Sequence, residues 1–281
     1  MKVLVTGARG LLGAAITREF APGHEVLALD RGALDVTDRR AVEQVVSAAR
    51  PDVLVNCAAY NDVDGAEDAP ETALAVNAFA VLSLARTAAR AGATLVHFSS
   101  DFVFDGESDR PYTEDDRANP QGAYAASKLL GDWFALETAR AYVLRVESLF
   151  GPPAEGGSRR GSLGTIVDRI RAGEAVPVFV DRTVSPSHTP DIARAVRGLV
   201  DTDAAPGLYH CVSTGHATWA AIAETIARML DMPLQMRPLT LATAGLRARR
   251  PRYCALSNEK LRAAGIEMPA WQTALAQFLV A

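Results

Sequence analysis

Along the first half of the chain, short apolar runs alternate with segments whose apolar residues recur at helical spacing. Val3 to Val5 is apolar and β-branched, a glycine-rich turn follows, and Leu11 to Phe20 carries the helical spacing, which predicts strand, turn, helix. Apolar runs at Glu25 to Leu29, Asp52 to Val55, Leu95 to Phe98 and Tyr142 to Val146 predict further strands, and Thr72 to Ala91 predicts an Ala-rich helix. Strands buried on both faces and alternating with helices make a parallel, doubly wound sheet, so the fold class expected is α/β.

Beyond Phe150 the pattern breaks at Gly151-Pro152-Pro153, and the elements shorten. Thr189 to Val200 and Trp219 to Leu230 read as helices, and Leu208 to Cys211 as a short strand. A first domain over 1–150 and a smaller α/β domain over 151–281 are expected, with the chain crossing back to the first.

Composition narrows the class. With 281 residues, 49% of them hydrophobic and 22% charged, the chain can bury a large core. Twenty-nine Lys plus Arg against 33 Asp plus Glu give a net charge of −4, without the basic excess that nucleic-acid binding requires. Cys57, Cys211 and Cys254 are scattered and lie at no metal-ligand spacing, so no metal is expected. The apolar run after Lys2 is too short for a signal peptide, and no stretch is read as apolar enough to span a membrane. A cytoplasmic protein is expected, and a homodimer is the assembly to expect on frequency alone.

The first strand runs into Gly7-Ala8-Arg9-Gly10-Leu11-Leu12-Gly13. Glycines at this spacing allow a tight turn, close backbone approach to a pyrophosphate at the helix N-terminus, and close packing of helix on strand. Asp30 ends the second strand, where a carboxylate can hold the adenosine ribose of NAD; Arg31 and Arg9 could instead pair with the extra phosphate of NADP. The cofactor expected is therefore NADPH or NADH, and residues 1–150 read as a Rossmann-type dinucleotide-binding domain. Asp35 and Val36 are candidates to flank the adenine. Ala58, Ala59 and Tyr60 follow the third strand at the carboxyl edge where such sheets bind ligands.

Tyr124 and Lys128 are spaced i, i+4 and share a helix face if the segment from Ala123 is helical. Only three lysines and six tyrosines occur in the chain, so chance pairing at this spacing is rare. The nearby cation, together with the positive charge of an oxidised nicotinamide, is expected to lower the phenol's pKa and make Tyr124 a proton donor to a carbonyl, or an acceptor in reverse. Ser99 and Ser100 end the fourth strand; Ser100 is taken as the hydroxyl that polarises the reacting carbonyl, with Asp101 beside it. His97 reads as a packed strand histidine. Arg250, in the basic stretch Arg247 to Arg252, and Arg182 are candidates for a nucleotide diphosphate.

The glycine turn, Ala58-Ala59-Tyr60, the Ser99 to Gly106 stretch and Tyr124-x-x-x-Lys128 together resemble the extended short-chain dehydrogenase/reductase family, most closely its dTDP-4-dehydrorhamnose reductases. The resemblance implies a Rossmann domain plus a sugar-nucleotide domain, and NAD(P)H-dependent reduction of a nucleotide-linked 4-keto sugar. It implies Tyr124 as general acid, Lys128 on the nicotinamide ribose and Ser100 at the carbonyl. Ser100 stands where those enzymes carry threonine, and Arg145 to Phe150 replaces Arg-Thr-Ser-Trp-Val-Tyr, which leaves Ser148 as the substrate-side candidate. An NAD-dependent sugar-nucleotide epimerase is the alternative chemistry. Asp101 is followed by Phe102 where the 4,6-dehydratases carry Glu, which argues against water elimination. A non-catalytic subunit, similar to the regulatory subunit of methionine adenosyltransferase, is the third reading.

Overall fold

The computed structural model describes residues 1–156 and 161–280. β1 (Lys2–Thr6), α1 (Leu11–Phe20), β2 (Glu25–Leu29), α2 (Arg39–Ala49) and β3 (Val53–Asn56) alternate as the hydrophobic pattern predicts. Short helices α3 (Gly65–Asp68) and α4 (Pro70–Leu74) lead through a π-helical turn, Ala75–Phe79, into α5 (Ala80–Ala91). Then follow β4 (Thr94–Ser100), α6 (Ala123–Leu136) and β5 (Ala141–Val146). The second half begins with β6 (Leu149–Phe150), α7 (Gly161–Arg171), β7 (Val176–Phe179), β8 (Thr183–Val184), β9 (Ser187–His188) and α8 (Thr189–Asp201). It ends with β10 (Gly207–His210), β11 (Ala217–Thr218), α9 (Trp219–Leu230), β12 (Met236–Leu239), α10 (Glu259–Ala263) and α11 (Trp271–Val280).

β1 to β5 and β10 form one all-parallel sheet in the spatial order β10-β5-β4-β3-β1-β2. Side chains alternate across a strand, so Val3, Val5 and Val55 face one side, where α1 (Ile16, Phe20) and α8 (Ile192, Val196) cover them. Leu4 and Leu54 face the other, against Val42 and Val46 of α2 and Val81 and Leu84 of α5. Each such side chain stabilises the fold by about 1.5–3 kcal/mol on leaving water. The result is a Rossmann-type doubly wound α/β sheet. Strand order reverses at β1, between β2 and β3, which opens a crevice at the carboxyl ends of these strands.

The second half supplies both a separate core and part of the first. Phe150, Leu163, Trp219, Ile226, Trp271 and Phe278 cluster among α7, α9 and α11, beside the parallel pair β7/β12 and the antiparallel pair β8/β11. β10, however, pairs with β5 from Gly207↔Tyr142 to His210↔Arg145, and α8 lies against α1.

Two expectations change. The helix expected to run regularly from Thr72 to Ala91 contains the π turn, whose extra residue swings Asn77 into the interior, where it is 1% exposed. Pro70–Ala91 is also 22 residues long with a mean hydropathy of 1.4, enough by length and composition to cross a membrane, contrary to the reading of the sequence. Half of its most apolar window is buried inside the protein, which is the position of a core helix.

Candidate active site

The glycine turn closes onto the end of β3. Gly7 has φ +65°, and a Cβ there would lie 2.7 Å from the Ala58 nitrogen; one on Gly13 would lie 2.3 Å from the Gly7 carbonyl oxygen. Only glycine permits both approaches. Gly10 is the N-cap of α1 with no side-chain cap, so Leu11 and Leu12 begin the helix with amides free to meet an anion.

Asp30 lies at the same edge, where its carboxylate accepts from the Ala33 amide at 3.0 Å and pairs with Arg9 Nε at 3.2 Å. Arg31 is exposed beside it. A cavity of about 710 Å³ opens there, lined by Ala8, Arg9, Thr17, Arg18, Asp30 and Pro153 among others. Asp35 is exposed and caps its own turn through the Thr37 amide and hydroxyl, which hold its carboxyl below the usual range. Val36 packs into the core with Leu34 and Val42. Ala58, Ala59 and Tyr60 are half-buried, and the Asn77 amide accepts from the Tyr60 N–H at 2.9 Å and donates to its carbonyl at 3.0 Å.

α6 starts after Gly122 and carries Tyr124, Lys128 and Asp132 at four-residue intervals on its buried face. Lys128 Nζ donates to the Phe98 carbonyl at 2.6 Å; burial pulls its ammonium down to about 8, against the charge of Asp132. Asp132 in turn pairs with Arg145 Nε at 3.2 Å, although burial still pushes its carboxyl above the usual range. Asn77 also donates to Ser127 Oγ at 3.0 Å, which ties the Tyr60 loop to α6.

Tyr124 departs from expectation. Its phenol is raised above its ordinary value, first by burial and then by the charge of Asp101, while the Ser100 hydroxyl pulls the other way. Lys128, whose ammonium donates to the Phe98 carbonyl, does not offset that rise. The ring of Phe102 meets Tyr124 edge-on at 5.6 Å.

Ser100 Oγ donates to Asp101 Oδ1 at 2.9 Å and accepts from the Phe102 amide at 3.2 Å, while Ser99 lies on the Asp132 side of the strand. His97 is a packed strand histidine, with Nδ1 3.1 Å from Asn56 Nδ2 and burial holding it far below its ordinary pKa. Arg182, read from sequence as a loop residue for a diphosphate, lies in the loop between β7 and β8 and is half-buried: it donates to the Pro251 carbonyl at 3.1 Å and lies 3.7 Å from Asp101 Oδ2. Ser148 is half-buried at φ +44°, between β5 and β6. Arg250 pairs with Asp64 at 2.9 Å and, like Arg182, lies over the Phe102 ring. With Arg247, Arg249 and Arg252 it lines a cleft of about 940 Å³.

Asn77, Asp132, Arg145 and Glu147 escaped the sequence reading. Asp132 could have been found, since it continues the spacing of Tyr124 and Lys128; Asn77 sits in a π turn that leaves no periodic trace.

Residues 1–281 match the family described as the RmlD substrate binding domain. The chain belongs to that family. A relative from Streptomyces griseus named dTDP-4-dehydrorhamnose reductase is 38% identical, covering 98% of this chain and 91% of its own. One of the same name from Mycobacterium tuberculosis is 36% identical, over 100% and 93%. The crystal structure of dTDP-4-dehydrorhamnose reductase from Bacillus anthracis in complex with NADP is 30% identical, with a TM-score of 0.93 over 99% of this chain and 98% of that one. Membership in the RmlD family bears out the resemblance carried by the glycine turn and Tyr124-x-x-x-Lys128.

Proposed function

We propose that this RmlD-family chain reduces the keto group of a dTDP-linked 4-keto sugar with NADPH or NADH. The observation that carries the reading is the meeting of Ser100, Tyr124 and Lys128 beside a glycine turn that opens at the same edge of the sheet. The names of the relatives support the substrate class.

The chain's residues fit a dinucleotide: the uncapped start of α1 suits a pyrophosphate, and Asp30 with Arg9 stands at the ribose position. When bound, the reduced nicotinamide supplies hydride to the carbonyl carbon. Lys128 holds the adjoining ribose, Ser100 donates to the keto oxygen, and Tyr124 gives that oxygen its proton. A phenol raised by burial stays protonated at neutral pH, the form a donor needs. Arg247, Arg249, Arg250 and Arg252 suit a diphosphate in the cleft they line. On this reading residues 1–150 hold the cofactor, 151–281 mainly hold the sugar nucleotide, and the enzyme works in the cytoplasm.

The test is NADPH oxidation with a dTDP-4-keto-6-deoxy sugar. Stoichiometric oxidation is expected, and Tyr124→Phe should lower kcat by about 10²–10⁴-fold with NADPH affinity kept. Epimerised sugar without net NADPH oxidation, or full turnover by the variant, overturns the assignment.

A further inference from the structure

Behind Ser100 lies a buried group of side chains that the proton step does not use. Asp101, Glu147 and Cys254 each place a ligand atom within 4.8 Å of the others, and all three are buried. One oxygen of each carboxyl is engaged: Asp101 Oδ1 accepts from Ser100 at 2.9 Å, and Glu147 Oε2 from the Ser185 amide at 2.7 Å. The other two, Asp101 Oδ2 and Glu147 Oε1, are shut off from solvent without a hydrogen-bond partner.

Two carboxyls and a thiol would suit a divalent cation, but a guanidinium already stands there. Arg182 Nη2 lies 3.3 Å from Cys254 Sγ and 3.7 Å from Asp101 Oδ2. The charge balance is one cation for two carboxyls, and a second buried negative charge costs more than a retained proton. With a ligand atom of each carboxyl within 4.8 Å of the other, one retained proton can serve the two orphaned oxygens in turn. Burial pushes both carboxyls above their usual range, and the charge of Asp101 raises Glu147 further.

We propose that Glu147 is a positioning residue: it shares a proton with Asp101, weakens Asp101 as an acceptor, and so lets Ser100 turn its hydroxyl proton to the substrate's keto oxygen. The proposal rests on the reductase reading of the site. The groups facing the pair are Arg182 between β7 and β8, Cys254 and Tyr253 before α10, and Tyr124 on α6. When alkali removes the shared proton, Asp101 binds the Ser100 hydroxyl more tightly and kcat falls. Loss of the shared proton by itself leaves NADPH affinity unchanged, because the glycine turn does not use the pair.

Glu147→Gln is neutral at every pH and can still donate to Asp101; Glu147→Ala cannot. Deprotonation of Lys128 gives every variant an alkaline limb; the wild-type limb should carry a further component that Glu147→Gln lacks, whereas Glu147→Ala should lose roughly tenfold in kcat with NADPH affinity unchanged. The same limb in Glu147→Gln, or equal losses in both variants with an unaltered pH profile, overturns the role. An infrared pH titration of the wild-type protein, with the glutamates isotope-labelled, reads the proton directly and holds even if the variants misfold. A labelled protonated-carboxyl band at neutral pH that fades in alkali is expected; its absence overturns the pair. A band without sugar reduction would count against the reductase reading alone, and reduction without the band against Glu147 alone.

Discussion

His210 ends β10 with its ring edge-on to Phe104 and Nδ1 3.1 Å from the Tyr112 carbonyl. Burial, helped by the charge of Arg145, holds the ring down at about 3. The unfolded chain takes up a proton near pH 6.5 while the native ring stays neutral, so the stability His210 confers is complete above that pH and drains away as pH falls toward 3. His97 acts in the same direction. Each such histidine should draw the unfolding free energy down between pH 7 and 5 by up to about 1.4 kcal/mol per pH unit, against the opposite pull of raised carboxyls such as Glu147. In urea unfolding, His210→Gln should therefore lose less stability, or gain more, than the parent over that range. An equal change in the variant would exclude His210. Tyr124 and Lys128 were legible because a four-residue spacing is local, but the direction in which Tyr124 titrates was not, since burial depends on segments far along the chain. Glu147 was hidden for the same reason: its neighbours Asp101, Arg182 and Cys254 come from three distant stretches.

At the scale of elements, α6 and the π turn touch where Gly131 has no side chain. A Cβ there would lie 2.2 Å from the Asn77 carbonyl oxygen and 3.3 Å from His97 Nε2. Gly131→Ala should force α6 away from the turn at a cost of about 1–3 kcal/mol, more than the gain in helix propensity returns. Because Tyr124 and Lys128 ride on α6, kcat should fall as well. Thermal denaturation and steady-state kinetics check both; a variant as stable and active as the parent would mean the contact yields freely. The sequence pattern located the elements well, since α1 and α9 begin and end at the residues expected. The π turn was missed because what holds it, the Asn77 amide on the Tyr60 backbone, is a tertiary contact.

For the whole molecule, the sheet and its helical cover draw on both halves of the chain. Cut at residue 150, the protein loses β10 from the edge of β5 and α8 from the apolar face of α1. A 1–150 fragment should lack cooperative unfolding, bind apolar dyes and aggregate, because it bares an unpaired strand edge and a large apolar patch. Sharp, reversible melting of the fragment would show that the first half stands alone. The sequence suggested that the chain crosses back, but which strand β10 would join lay beyond it, because parallel pairing leaves no local signal. That late pairing has a cost during synthesis. The 5–20 residues per second of a ribosome leave β5 waiting about 3–12 s for the strand that begins at Gly207. A nascent chain thus spends seconds with an open β5 edge, long enough for a chaperone, or another half-made copy, to arrive first.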